Sequence, residues 1–197
     1  KQRVKKMGPV GLAKHFGKKQ LFEDLSFACR GGLILRAPSG WGKTTLMRIL
    51  MGLETADAGS VTGVGRVCPL FQEDRLIPHL DAVQNVQIVC GDLAAQKITA
   101  ELAAVGLGAK ECRLPAARLS GGQKRRAALI RALLAPGDLV LLDEPFTGLD
   151  EASAALVAKA IHKHCAGRTA LAAVHDPLGI QLLGWPVLNL TNPAPLP

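Results

Sequence analysis

Residues 33–50 read LILRAPSGWGKTTLMRIL: an apolar run, a glycine-bearing loop, then apolar residues at helical spacing. No other stretch constrains the fold as much. A strand, a tight loop and a helix in immediate succession fold the backbone N–H groups into an anion nest, closed by the positive end of the helix. The loop follows the phosphate-gripping pattern G-x-x-x-x-G-K-[ST] except at its first position, where Ala37 stands. Ala37 precedes Pro38, and a pre-proline residue is pushed to an extended conformation that alanine tolerates as well as glycine. The cradle, Ser39, Gly40, Trp41, Gly42, Lys43, Thr44 and Thr45, is therefore expected to work. In it Gly40 and Gly42 permit close backbone approach, Lys43 neutralises phosphate charge and the Thr44 hydroxyl ligates Mg²⁺.

The rest of the chain is that of a single globular domain, with 197 residues and 48% hydrophobic content. Five scattered cysteines form no C-x-x-C pair, which argues against a disulfide framework or zinc site and favours a reducing compartment. The basic start lacks a signal-peptide core and no run of about 18 apolar residues occurs, so a membrane would be reached only through a partner. The chain opens on Lys rather than Met, and residues 1–6 carry no weight in this reading. The formal charge of +8 is spread out apart from KQRVKK and QKRR, without an aromatic ladder for stacking bases. It is expected to be a solvated basic surface, with no nucleic-acid partner.

Along the chain, residues 21–37 read as a β-rich entry ending in a buried strand, and 54–65 as a turn-rich stretch. RVCPLFQ is a short apolar run, and residues 80–118 look helical. From 139 the pattern alternates: LVLLD as strand, EASAALVAKAIHKHC as helix, TALAAVH as strand, a short helix, then PVLNL. Strands alternating with helices predict a parallel sheet covered on both faces.

LVLLDEP ends an apolar strand in two carboxylates, suited to an Asp143 that orients Mg²⁺ and a Glu144 that polarises water as a base; adjacent acids at such a place otherwise only cap a helix. LSGGQ at 119–123 offers the Ser120 hydroxyl and the N–H groups of Gly121 and Gly122, with Gln123, at a helix start. This pentapeptide, between the loop and the carboxylate strand, resembles the signature motif of ATP-binding cassette (ABC) ATPases. The resemblance implies a P-loop NTPase core with a mostly parallel α/β sheet and an N-terminal antiparallel β part. It implies a single domain over 1–197, with the core at 1–79 and 119–197 and a helical subdomain at 80–118.

The resemblance extends to further residues. Gln72 in CPLFQED matches the Q-loop glutamine, a sensor of Mg²⁺ and the attacking water; Asp150 in TGLD matches the D-loop aspartate; His175 in AVHD matches the switch histidine. Phe16 stands where the family has an aromatic stacking on adenine, core packing being the alternative. The family arrangement implies ATP and Mg²⁺ as ligands and a second ATPase subunit, a homodimer when ATP is bound, whose signature motif closes over the nucleotide of the first.

FQEDRLIPHLDAVQNV is similar to the corresponding region of nitrate, sulfonate and taurine importer ATPases, with His79 in place of a common Trp. That implies an ATPase peripheral to the cytoplasmic face of the cell membrane, driving transport of a small solute through permease subunits, with a solute-binding protein as a further partner. The 22 residues after His175 leave little room for a regulatory domain. An extrusion ATPase, a soluble ABC switch acting apart from transport, and a subunit that binds ATP without hydrolysing it stand as alternatives.

Overall fold

The structure is a computed structural model that describes residues 7–17 and 19–191; the basic start at 1–6 and the NPAPLP tail lie outside the described residues. The elements in chain order are β1 (Gly8–Phe16), β2 (Lys19–Leu25), β3 (Gly32–Arg36), α1 (Lys43–Leu50), β4 (Ala58–Thr62), β5 (Val67–Leu70), α2 (Ala82–Cys90) and α3 (Ala95–Ala104). Two 3-10 turns at Glu111–Arg113 and Ala116–Arg118 lead to α4 (Gly121–Leu134), β6 (Leu139–Asp143), α5 (Glu151–Cys165), β7 (Thr169–Ala173), α6 (Pro177–Leu183) and β8 (Val187–Asn189).

Five of the strands form a parallel sheet in the order β5-β6-β7-β3-β8. Its centre is buried on both faces, as the unbroken apolar runs LVLLD and TALAA require. Because side chains alternate along a strand, β6 supplies two cores at once. Val140 and Leu142 join Ile34, Ala170 and Ala172 beneath α2, α3, α4 and α5. Leu139 and Leu141 join Leu35, Leu171 and Ala173 beneath α1 and the second sheet.

That second sheet is antiparallel, in the order β2-β1-β4. The stretch 54–65, expected to be turns, thus contains a strand, AGSVT. Its small residues carry little β-propensity, and pairing with β1 decides the outcome. Gly59 crosses Gly11 so closely that a Cβ would stand 2.2 Å from the Gly11 carbonyl oxygen, so only glycine fits. The free cysteines are mostly buried, and burial pushes the thiols of Cys29 and Cys165 up to about 11 and about 12.

Helix starts fall into two kinds. Asp81, Ser120, Asp150 and Asp176 cap α2, α4, α5 and α6 by accepting backbone N–H groups. Helices α1 and α3 have no side-chain cap and no acid in the first turn, and α1 follows a left-handed glycine, Gly42.

The segment between β5 and α2 is held by Asn85, 1% exposed. Its Oδ1 accepts from the Ile77 N–H at 2.7 Å, and its Nδ2 donates toward the carbonyls of Ile77, Leu80 and Asp81 at 3.0–3.1 Å. Truncation leaves several partly buried groups without their partner, so Asn85→Ala is expected to lower unfolding free energy by about 1–3 kcal/mol. Urea titration should give a lower midpoint at unchanged slope.

Candidate active site

The loop between β3 and α1 is shaped by two glycines in the left-handed region, Gly40 at φ 74° and Gly42 at φ 108°. A Cβ on Gly42 would meet Leu21 at 3.0 Å, so both the dihedral and the space call for glycine. Ala37 is buried and keeps a φ that is not positive, so the backbone at this position does not call for glycine. Lys43 turns its ammonium back over the loop, donating to the carbonyls of Ala37 at 2.9 Å and Pro38 at 3.2 Å. With no side-chain cap on α1, the first N–H groups of that helix have no side-chain acceptor, and its first residues, Lys43, Thr44 and Thr45, line the concavity.

Trp41 departs from its neighbours. Its side chain is buried, stacks on Phe22 with ring centroids 5.3 Å apart, and donates Nε1–H to the Thr191 carbonyl at 2.7 Å. It anchors the loop to the core, and only its backbone remains for the cradle. The other loop residues, Ser39, Gly40, Gly42, Lys43, Thr44 and Thr45, line a cleft of about 560 Å³ together with Phe16, Lys19, Gln72, Asp143, Glu144 and His175. Phe16 is half exposed at its mouth, not packed in the core, and one ring face carries the Lys14 ammonium at 5.0 Å.

Asp143 ends β6 and Glu144 follows at φ 52°, a left-handed conformation unusual for a side chain that precedes proline. The surroundings hold it there: its N–H donates to the Ala173 carbonyl at 3.0 Å and its own carbonyl accepts from Arg125 at 2.8 Å. The twist swings the carboxylate to His175, with Oε1 3.2 Å from Nε2. Burial raises the pKa of both carboxyls, and for Glu144 the neighbouring Asp143 adds to it. Burial also lowers the pKa of Lys43, against the pull of Glu144 and Asp143. His175 is lowered by burial and then by Lys43 and Arg36, which favours a neutral imidazole at neutral pH.

Ser120, Gly121, Gly122, Gln123 and Asp150 are not among the residues that line this cleft. Ser120 and Gln123 form a capping box, with Gln123 N–H to Ser120 Oγ at 3.3 Å and Ser120 N–H to Gln123 Oε1 at 2.8 Å. Asp150 accepts from the Ser153 N–H at 2.7 Å.

Two residues of the QKRR run and one beyond it are not the solvated surface expected of them. Arg125 is 4% exposed. Its guanidinium donates to the carbonyls of Phe71 (2.6 Å), Gln72 (3.2 Å), Asp143 and Glu144, and to the Asp74 carboxylate (3.1 Å). It thereby fastens the glutamine loop to the carboxylate strand tip. Arg131, one turn and a half further along α4, donates to the carbonyls of Asp74 and Arg75, and Arg126 donates to the Val105 carbonyl at 3.0 Å. The detectable signal was spacing: Arg125 falls on the same helix face as the buried Leu129 and Ala132. Arg125→Ala is expected to cost about 3–5 kcal/mol of stability, measured by denaturant titration, because five acceptors lose one buried cation.

The structure matches the dimeric structure of a bacterial ABC transporter cassette with a TM-score of 0.80 at 21% identity, over 94% of each chain. A post-hydrolysis state of that cassette bound to ADP and Pi matches at 0.79. In sequence, the chain is 44% identical over 72% of its length to an aliphatic sulfonates import ATP-binding protein of Nocardia farcinica. It is 36% identical over 93% of its length to a thiamine import ATP-binding protein of Mesorhizobium japonicum. The matches span 59% of the Nocardia protein, 60% of a sulfonates import relative from Delftia acidovorans, and 81% of the thiamine import protein. The model of the ABC transporter family matches residues 22–147, so the chain belongs to the ABC transporter family.

Proposed function

We propose that this chain is the ATP-binding and hydrolysing subunit of a transporter, powering movement of a small solute through separate permease subunits. One observation carries the reading: a single cleft gathers the loop nest, Lys43, two carboxylates and a histidine, while the capped start of α4 lies outside it.

The chemistry follows from the environment of each group. Gly40 to Thr45 and the uncapped start of α1 bind the phosphates, and Lys43 exchanges its carbonyl partners for them. The Thr44 hydroxyl, the Asp143 carboxylate and the Gln72 side chain are hard oxygen donors of the kind that suits Mg²⁺, which when bound neutralises charge on the phosphates. Glu144 accepts a proton from the attacking water; its raised pKa brings its basicity nearer the working pH. His175, neutral and 3.2 Å from Glu144, orients that carboxylate and offers a hydrogen bond toward the terminal phosphate. Phe16 presents the ring face that Lys14 leaves free to the adenine.

Ser120, Gly121, Gly122, Gln123 and Asp150 act on the cleft of a second copy, so ATP joins two chains. The core comprises 1–79 and 119–197, and the helices of 80–118 lead into the signature motif. Among the described residues no helix is long and apolar enough to cross a membrane. The chain works at the cytoplasmic face against permease subunits, with a solute-binding protein on the far side. Import is favoured over extrusion or a soluble switch by the relatives' names, which are those of importers of aliphatic sulfonates and thiamine.

A second cavity of about 440 Å³ adjoins the glutamine loop at Phe71 and Arg75 and is rimmed by Ile77, Ile88 and Val89. Ile88 is 57% exposed, an apolar side chain left for the permease to cover. Ile88→Asp is expected to leave ATP binding intact and to reduce transport in reconstituted vesicles about tenfold or more, by burying an unpaired charge at that contact.

Glu144→Gln tests the catalytic assignment: ATP should still bind, turnover should fall by about 10²–10⁴-fold, and dimers should accumulate in size-exclusion chromatography with ATP. Because the Glu144 pKa is raised, wild-type turnover should fall as pH drops through a value above the ordinary carboxylate range, seen in a pH–rate profile. Equal turnover in variant and wild type would remove Glu144 from the role.

A further inference from the structure

We infer that Lys19 is a second cation for the nucleotide, holding the inner phosphates at the end of the cleft away from Lys43; the inference rests on the nucleotide reading given above. The phosphate-loop motif supplies one lysine, and nothing in the loop pattern points to a residue of β2. The fold brings it there. β1 and β2 pair antiparallel with Phe16 opposite Lys19, and directly opposed residues present their side chains to the same face of a sheet. Both line the cleft. The Lys19 ammonium hangs over the phosphate loop, 4.0 Å from where a Cβ on Gly40 would stand.

Its neighbours are differently engaged. Lys14 is bound to Glu54 at 3.0 Å and to the Thr55 carbonyl at 2.7 Å. Lys43 is bound to loop carbonyls and feels the two carboxylates, which places it at the end where the terminal phosphate reacts. Among the described residues Lys19 has no ion-pair partner, so its charge is free for a ligand. Two ammonium groups thus bracket the glycine loop, one at the carboxylate end and one at the aromatic end. Because Phe16 and Lys19 are opposed on adjoining strands and Lys19 lies over Gly40, a base stacked on Phe16 would bring its inner phosphates toward Lys19. Lys19 therefore recognises a feature common to nucleoside di- and triphosphates, whereas Lys43 distinguishes them.

Calorimetric titration of the full chain with ADP and with the non-hydrolysable imido analogue of ATP, both with Mg²⁺, tests this on wild type, Lys19→Ala, Lys19→Arg and Lys43→Ala. Loss of a charge-assisted contact predicts that Lys19→Ala weakens both nucleotides by the same factor, about five- to tenfold. Lys19→Arg should stay near wild type, added salt should weaken the alanine variant less than wild type, and the unfolding temperature without nucleotide should be unchanged. Unchanged affinity in Lys19→Ala beside a loss in Lys43→Ala overturns the inference and leaves the nucleotide reading standing, as does a loss confined to the ATP analogue. A wild type that binds neither nucleotide overturns both.

Discussion

The site depends on one buried guanidinium. Arg125 reaches from α4 to four carbonyls and a carboxylate, and these belong to the two segments that bring Gln72, Asp143 and Glu144 to the cleft: the loop after β5 and the carboxylate tip of β6. A planar cation with five donors suits this task, since it can satisfy acceptors from two directions at once where lysine offers a compact point charge. The left-handed turn at Glu144 depends on the same contact, because the Glu144 carbonyl is one of the acceptors. Helix α4 is thereby tied to the cleft, although its capped start does not line it.

Electrostatics divide the cleft into opposing tendencies. The same partial burial that holds a proton more firmly on Asp143 and Glu144 loosens one on Lys43 and His175. Each group is drawn toward its neutral form. The uncapped start of α1 fits the same pattern: α2, α4, α5 and α6 close their N-termini with an acid or a serine, whereas α1 begins at the cleft with no side-chain acceptor on its N–H groups.

Much of this was legible beforehand, and the exceptions have physical causes. LVLLD, EASAALVAKAIHKHC and TALAAVH carry periodicity strong enough to place β6, α5 and β7 to within a residue or two. The loop 39–45 announced itself because glycine spacing and a lysine at a helix start serve few purposes. AGSVT did not, since Ala58, Gly59 and Ser60 carry little strand preference and pairing with β1 extends the strand over them. Arg125 was hidden for a different reason: a basic run looks the same in sequence whether its members face water or a buried ring of carbonyls. Trp41 sits inside the motif, yet its ring belongs to the core, a distinction that needs three-dimensional neighbours such as Phe22 and Thr191.

Strand β6 has only five residues, and all five are buried. Alternate ones serve the two hydrophobic cores, and the last is a carboxylate of the cleft. A slip of one residue would exchange the two cores and carry the acid to the wrong level. Mutational tolerance is accordingly lowest where the chain is most ordinary in composition. Leucines 139, 141 and 142 and Val140 have as little freedom to drift as the charged residues beside them, and variation between descendants of this chain should collect on the far helices and in the loops that join them.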